Sequence, residues 1–160
     1  MYKRQTGTIA SESAQGTAGG IRFVNGVSFS GTIDNSGTIS GVQNGLYFGN
    51  AVTAGGGDFT GAVVNNSGTI SSDSRALNID GTGLVVNNSG TILATGAQRN
   101  GTVYADATAQ DFTLNNLAGG LIDAGVGLEG AAFSVELSEA GNNFDINNDG
   151  IIQGLSLIHI

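Results

Sequence analysis

The eight residues Val63-Val64-Asn65-Asn66-Ser67-Gly68-Thr69-Ile70 return almost unchanged as Val85-Val86-Asn87-Asn88-Ser89-Gly90-Thr91-Ile92. A copy precedes them, Ile33-Asp34-Asn35-Ser36-Gly37-Thr38-Ile39, and looser ones follow at 114–122 and 146–152. Gly7-Thr8-Ile9 is the tail of a sixth. The closing isoleucines stand at 9, 39, 70, 92, 122 and 152, in steps of 30, 31, 22, 30 and 30 residues. Self-similarity at a period of about 20–50 residues marks a solenoid, a propeller or an array, because one such unit cannot bury its apolar face alone.

Each unit divides in the same way. The motif comes first, with apolar residues on both sides of an Asn-Ser-Gly kink. Asn and Gly tolerate positive φ, so a corner between short strands is expected there. A polar stretch follows, such as Ser71-Ser72-Asp73-Ser74. Then comes an alternating run: Ile21-Arg22-Phe23, Leu46-Tyr47-Phe48, Leu77-Asn78-Ile79, Val103-Tyr104-Ala105 and Phe133-Ser134-Val135. A period of two reads as a half-buried strand. A further strand opens on Phe29, Phe59, Phe112 or Phe144, and the 22-residue unit lacks it.

Short strands, many turns and no helical period predict an all-β fold. The expected architecture is a right-handed parallel β-helix, a β-solenoid of about five coils of 22–31 residues. Coils then stack at about the 4.8 Å spacing of strands in a sheet. Ile39, Ile70, Ile92, Ile122 and Ile152 are expected to form one aliphatic ladder. Asn35, Asn66, Asn88, Asn116 and Asn148 are expected to form an amide ladder, and the four phenylalanines an aromatic stack broken at the short coil. A leucine-rich repeat is the rival; it needs a helix or extended back segment and several fixed Leu per unit, where these units carry Val, Ile and Gly.

Composition narrows the function classes. The chain has no Cys, which excludes a disulfide framework and thiolate metal sites. Five Lys and Arg face 13 Asp and Glu, for a net charge of −8. Phosphate backbones are held by clustered Lys and Arg, so no nucleic-acid partner is expected. Low charge with many Val, Ile and Thr predicts ordered β structure instead of disorder.

Runs of the form Asn-Ser-Gly-Thr-Ile, spaced by Gly-rich, acidic, Cys-free stretches, resemble autotransporter passenger domains. The resemblance covers 6–154. It implies a β-helical stalk on the surface of a Gram-negative bacterium, anchored through a C-terminal outer-membrane barrel. It implies no catalytic residues.

The two ends carry another resemblance. Leu155-Ser156-Leu157-Ile158-His159-Ile160 is the translation of CTGTCTCTTATACACATC. The reverse complement of that string reads Tyr-Lys-Arg-Gln after a GTG start, and the chain opens Met1-Tyr2-Lys3-Arg4-Gln5. Both resemble a transposon end used in preparing sequencing libraries. The expected division is 1–5 and 155–160 as adapter-derived scars around a 6–154 repeat segment, an internal fragment of a longer gene.

Within 6–154 there is no His, Cys or Lys. The usual nucleophile–base triads and Schiff bases therefore have no residues to use, and no catalytic residue or cofactor is expected. Carboxylate pairs remain: Asp73 with Arg75, and Asp106 with Asp111. Asp145, Asn147 and Asp149 match the first half of a calcium loop, Asp-x-Asn-x-Asp-Gly; the twelfth position falls on Ser156 where a bidentate Glu belongs. The repeat explains the same residues without a metal. Thr8, Thr38, Thr69 and Thr91 form one column, which ends at Leu121 and Ile151. The expected function is a structural stalk or adhesin-type segment, not an enzyme, meeting glycans or proteins of a host or neighbouring cell. The other class is a fragment of a β-helix polysaccharide lyase or hydrolase using surface carboxylates.

Overall fold

The computed structural model describes residues 1–11, 19–24, 27–49, 57–96, 101–106, 108–125, 131–136 and 143–159, with backbone alone at 131–136 and 155–159. Among these residues there are strands, turns and bends and no helix. Three parallel sheets of six strands each run along the molecule.

The first sheet holds β1 (Tyr2–Gln5), β4 (Thr32–Asn35), β8 (Val63–Asn66), β12 (Val85–Asn88), β15 (Phe112–Asn116) and β18 (Phe144–Asn148). The second holds β2 (Thr8–Ser11), β5 (Thr38–Gly41), β9 (Thr69–Ser72), β13 (Thr91–Ala94), β16 (Leu121–Asp123) and β19 (Ile151–Gln153). The third holds β3 (Gly19–Phe23), β6 (Asn44–Phe48), β10 (Arg75–Ile79), β14 (Val103–Ala105), β17 (Ala131–Glu136) and β20 (Leu155–His159). A two-stranded sheet joins β7 (Gly57–Asp58) to β11 (Gly81–Thr82). The chain visits the three main sheets in turn and returns one rung higher each time. This is a parallel β-helix, as the repeat predicts.

Register follows the repeat and ignores coil length. Ile9, Ile39, Ile70, Ile92, Ile122 and Ile152 are successive Cα partners, across steps of 22 and 31 residues alike. The four inner isoleucines are fully buried. A second column runs Ile33, Val64, Val86, Leu114 and Ile146. Leu46, Leu77 and Val103 form a third. Stacking of equivalent residues buries the apolar surface that no single coil could bury. Length differences between coils fall in the connections, where extra residues cost little.

The motif glycine differs from its expectation. Gly37, Gly68 and Gly90 are absent from the residues with positive φ. They are glycine because coils approach closely at the corner. A Cβ on Gly68 would fall on the carbonyl oxygen of Gly37, and one on Gly90 on that of Gly68.

The four phenylalanines do not share one column. Phe112 pairs with Phe144, with ring centroids 6.2 Å apart. Leu84, fully buried, precedes Val85 as Phe112 precedes Thr113, so it fills the rung beneath Phe112. Phe59 instead follows Asp58, the partner of Thr82, which puts it level with Gly83. Two extra residues, Thr60 and Gly61 (φ 82°), make the turn that separates the two positions. Phe59 and Phe29 pack with Phe23 and Phe48, at centroid distances of 4.6–6.1 Å.

Both end segments set apart in the sequence form rungs: β1 pairs with β4 and β20 with β17. An open parallel edge offers unpaired N–H and C=O groups to any extended chain. Such pairing is indifferent to the origin of the residues.

Candidate functional site

The corner between the first and second sheets carries two amide ladders. Inside, Asn35 Nδ2 donates to Asn66 Oδ1, Asn66 to Asn88, Asn88 to Asn116 and Asn116 to Asn148, all at 2.7–2.8 Å. Each of these donors also reaches the next rung's backbone, at Thr69 O, Thr91 O, Leu121 O and Ile151 O. Asn35, Asn66, Asn88 and Asn116 are buried, and they satisfy one another and the turn carbonyls together. Gln5 takes the same place at the first rung, with Nε2 donating to Thr38 O at 3.3 Å.

Outside, a second ladder runs the other way. Asn65 Nδ2 donates back to Asp34 Oδ1, Asn87 to Asn65, Asn115 to Asn87 and Asn147 to Asn115, at 2.8–2.9 Å. Asp34 sets this direction, because an ionised carboxylate only accepts. The Tyr2 hydroxyl at 2.6 Å and the Asn65 amide hold the Asp34 carboxyl below its usual range. Each inner link of the outer ladder uses one N–H and one lone pair of its amide. One of each is left toward solvent. Ser36, Ser67 and Ser89 border the same open groove.

A different chemistry lies on the outer face of the third sheet. Alternation turns Leu77 and Ile79 into the core and Asn78 outward. Arg22, Tyr47, Asn78 and Tyr104 are successive register partners on that face. Tyr47, Asn78 and Tyr104 are buried even so. Arg22 Cζ lies 5.1 Å from the Tyr47 ring centroid and Arg75 Cζ 3.9 Å from that of Tyr104, which closes the layer from outside. Asp80 follows Ile79 and Asp106 follows Ala105, and those two are partners, so the two carboxyls stand one rung apart.

Burial pushes the Asp80 carboxyl up to about 6, helped by the charge of Asp106 and a hydrogen bond between the two side chains. The Tyr47 hydroxyl donates to Asp80 and pulls the other way, as does the charge of Arg75. Burial and the same bond keep the Tyr47 hydroxyl protonated far above its ordinary range. Asp106 Oδ1 accepts the N–H and the hydroxyl of Thr108, both at 2.7 Å.

No known protein family, curated protein or solved structure matches the chain. The geometry of the molecule is therefore what bears on its role.

The carboxylate pairs expected from sequence have other partners. Asp73 accepts from the Thr95 hydroxyl at 2.8 Å, while Arg75 lies over Tyr104. Asp111 accepts from Asn143 at 3.0 Å, while Asp106 bonds Thr108 and Asp80. Asp145 and Asn147 lie on the exposed face of β18, and the Asn147 amide belongs to the outer ladder. Asp149 is an exposed turn residue whose N–H reaches Asn116 O. Among the described residues no group of three or more acidic, His or Cys side chains stands ready for a metal. Thr8, Thr38, Thr69 and Thr91 are in register.

The pairing of Asp80 with Asp106 was missed in the sequence. The signal was present: each acid directly follows the last residue of an alternating run. Aligning units on those runs, and not only on the Asn motif, places the two acids in one column.

Proposed function

We propose that the chain is a structural stalk segment, adhesin-type, of an autotransporter-like bacterial surface protein, with no chemistry of its own. The observation that supports this reading is the pair of amide ladders, which continue through the short coil and the long ones without a break. A corner built alike at every coil maintains an axis; it does not create one special site. On this reading the full-length protein continues into an outer-membrane barrel and works outside the cell. The outer amides then offer a strip of donors and acceptors to glycans or proteins of a host or neighbouring cell. The test is expression of the parent gene in a Gram-negative host, with antibody labelling of intact cells before and after external protease. Labelling that protease removes is the expected result. Protein found only after lysis would overturn it.

A second reading rests on Asp80 and Asp106. Two hydrogen-bonded carboxyls beside a tyrosine and an arginine are the groups of general acid–base chemistry. This favours a carbohydrate-cleaving β-helix. Turnover of pectin or alginate that disappears in Asp80→Asn would support it; no turnover is expected on the stalk reading.

A further inference from the structure

The repeat sets an outer-ladder Asn two residues before Ser at Asn65-Asn66-Ser67 and Asn87-Asn88-Ser89, and at no other rung. Asp34 replaces the amide ahead of Ser36. Leu117 and Asp149 replace the hydroxyl after Asn115 and Asn147. Asn-x-Ser, with x other than Pro, is the acceptor pattern for N-linked sugar, and it has meaning only on an accessible surface. Both copies meet that condition. Asn65, Ser67 and Ser89 are exposed and Asn87 is half-buried, and all four line one open groove. The third match, Asn100-Gly101-Thr102, is different. Thr102 is fully buried and its hydroxyl donates to Asp123 O at 2.9 Å. Asn100 itself lies outside the described residues.

The outer ladder leaves free the one hydrogen that a sugar would replace. In Asn65 the bond from Asn87 arrives at Oδ1, and the bond to Asp34 leaves Nδ2 in the opposite direction along the axis. Asn87 stands in the same way between Asn115 and Asn65. The N–H in the ladder is therefore the one pointing away from its own C=O. The other N–H lies on the side of the oxygen and has no partner among the described residues. A planar trans amide holds its carbon substituent on the oxygen side and its hydrogen opposite. A sugar carbon on Nδ2 takes the place of the unused hydrogen, and the ladder bond survives. The inner amides are buried and offer no such hydrogen, since Asn66 Nδ2 is spread over Asn88 Oδ1, Thr91 O and Gly68 O. The hydroxyls of Ser67 and Ser89 make only long bonds to the coil below, 3.3 Å to Asn35 O and 3.4 Å to Asn66 O. Their oxygen lone pairs stay open to an enzyme that reads the motif.

We propose that Asn65 and Asn87 are N-glycosylation sites, each carrying a pyranose on its Nδ2. The sugar comes from a diphosphate-activated donor. The C1–O bond to the diphosphate breaks and the C1–Nδ2 bond forms. The diphosphate leaves with the bonding electron pair, and the displaced amide proton passes to a base of the transferase. Asn65 and Asn87 are register partners on neighbouring rungs. Their nitrogens therefore stand about 4.8 Å apart, close to the thickness of a pyranose ring, and sugars on both rungs stack in one file. The sites require only an exposed corner, whatever the full-length protein does.

The experiment incubates the folded full chain in two arms. One holds a soluble N-glucosyltransferase with nucleotide-activated glucose. The other holds a membrane oligosaccharyltransferase with a lipid-diphosphate-linked oligosaccharide. A flexible Asn-x-Thr peptide in each arm confirms that the enzyme is active, and peptide mass spectrometry locates the sugar. Glycan on Asn65 and Asn87 in at least one arm is the expected result, and the arm that succeeds distinguishes the two donors. Ser67→Ala is expected to abolish modification at Asn65 alone, and Ser89→Ala at Asn87 alone. Leu117→Ser supplies the hydroxyl missing after Asn115 at an exposed position and is expected to extend modification to Asn115. Circular dichroism reports the fold of each variant. A chain free of sugar at Asn65 and Asn87 in both arms, with the peptide modified, would overturn the proposal. So would glycan that persists on both residues in the two serine variants, which would mean reaction without recognition of the motif.

Discussion

Asn66 Nδ2 donates to Asn88 Oδ1 at 2.8 Å, while one residue away Asn87 Nδ2 donates back to Asn65 Oδ1 at 2.9 Å. Adjacent amide chains therefore run antiparallel along one corner. The inner one is buried and the outer one meets water, so the two should differ sharply in energetic weight.

Asn88→Ala strips an acceptor from Asn66 and donors from Asn116 and Leu121 O. Several buried polar groups are left unpaired at once, and the expected loss is about 3 kcal/mol or more. Asn87→Ala exposes its partners only to water and should cost under about 1 kcal/mol. Denaturant midpoints of the two variants measure the difference; similar losses would contradict the assigned burial.

Ile92 and Thr91 test the aliphatic ladder. Ile92 is fully buried between Ile70 and Ile122. Ile92→Ala is expected to cost about 2–5 kcal/mol. Thr91→Ala, on the outer face, should cost under about 1 kcal/mol. Thermal or chemical unfolding of the pair decides it, and a larger loss at Thr91 would reverse the register.

The motif glycine can be tested by its position along the axis. Gly68→Ala places a methyl on the Gly37 carbonyl and must push the neighbouring coils apart, at an expected cost of about 1–3 kcal/mol. Gly7 holds the equivalent place at the first rung, with open space around it. Gly7→Ala should cost no more than about 0.5 kcal/mol. Equal effects on chemical stability would point to backbone conformation, not close approach, as the reason for glycine.

Asp80 should leave a signature in the pH dependence of stability. Its carboxyl is pushed up to about 6 by burial, by the charge of Asp106 and by their mutual hydrogen bond, against Tyr47 and Arg75. An unfolded aspartate titrates near about 3.9. Between those values the folded chain keeps a proton that the unfolded chain has released, so this group favours folding as pH falls from above 6 toward 4. Above pH 6 its buried charge opposes folding. Asp80→Asn should stabilise by about 1–2 kcal/mol near pH ~7.5, after allowance for solvent screening. The gain should vanish near pH ~4. A gain of the same size at both pH values would rule out titration of Asp80 as its source.

Much of the fold was legible in the spacing of Ile39, Ile70, Ile92, Ile122 and Ile152. In a parallel β-helix the same residue recurs at the same place in each coil, and a column of identical side chains needs no long-range information beyond that recurrence. Coil length does not disturb the column, because insertions leave through the connections. The Asn35–Asn148 ladder was legible for the same reason.

Other features depend on how neighbouring coils meet. Phe59 looks equivalent to Phe112 in the sequence, but the two-residue turn at Thr60–Gly61 moves it to another position in its coil. Gly68 looks like a turn residue, and its role is contact with a carbonyl on the coil below. Asp80 and Asp106 lie 26 residues apart with different neighbours, and only closure of the coil brings their carboxyls together. Sequence alone determined the period, and with it the columns, because stacking repeats whatever the chain repeats. The tertiary structure decided what lies beside each column: the opposed direction of the two amide ladders, the close approach at the corner and the pairing of two carboxyls on the third sheet. Those follow from distances between coils, which a period in sequence does not contain.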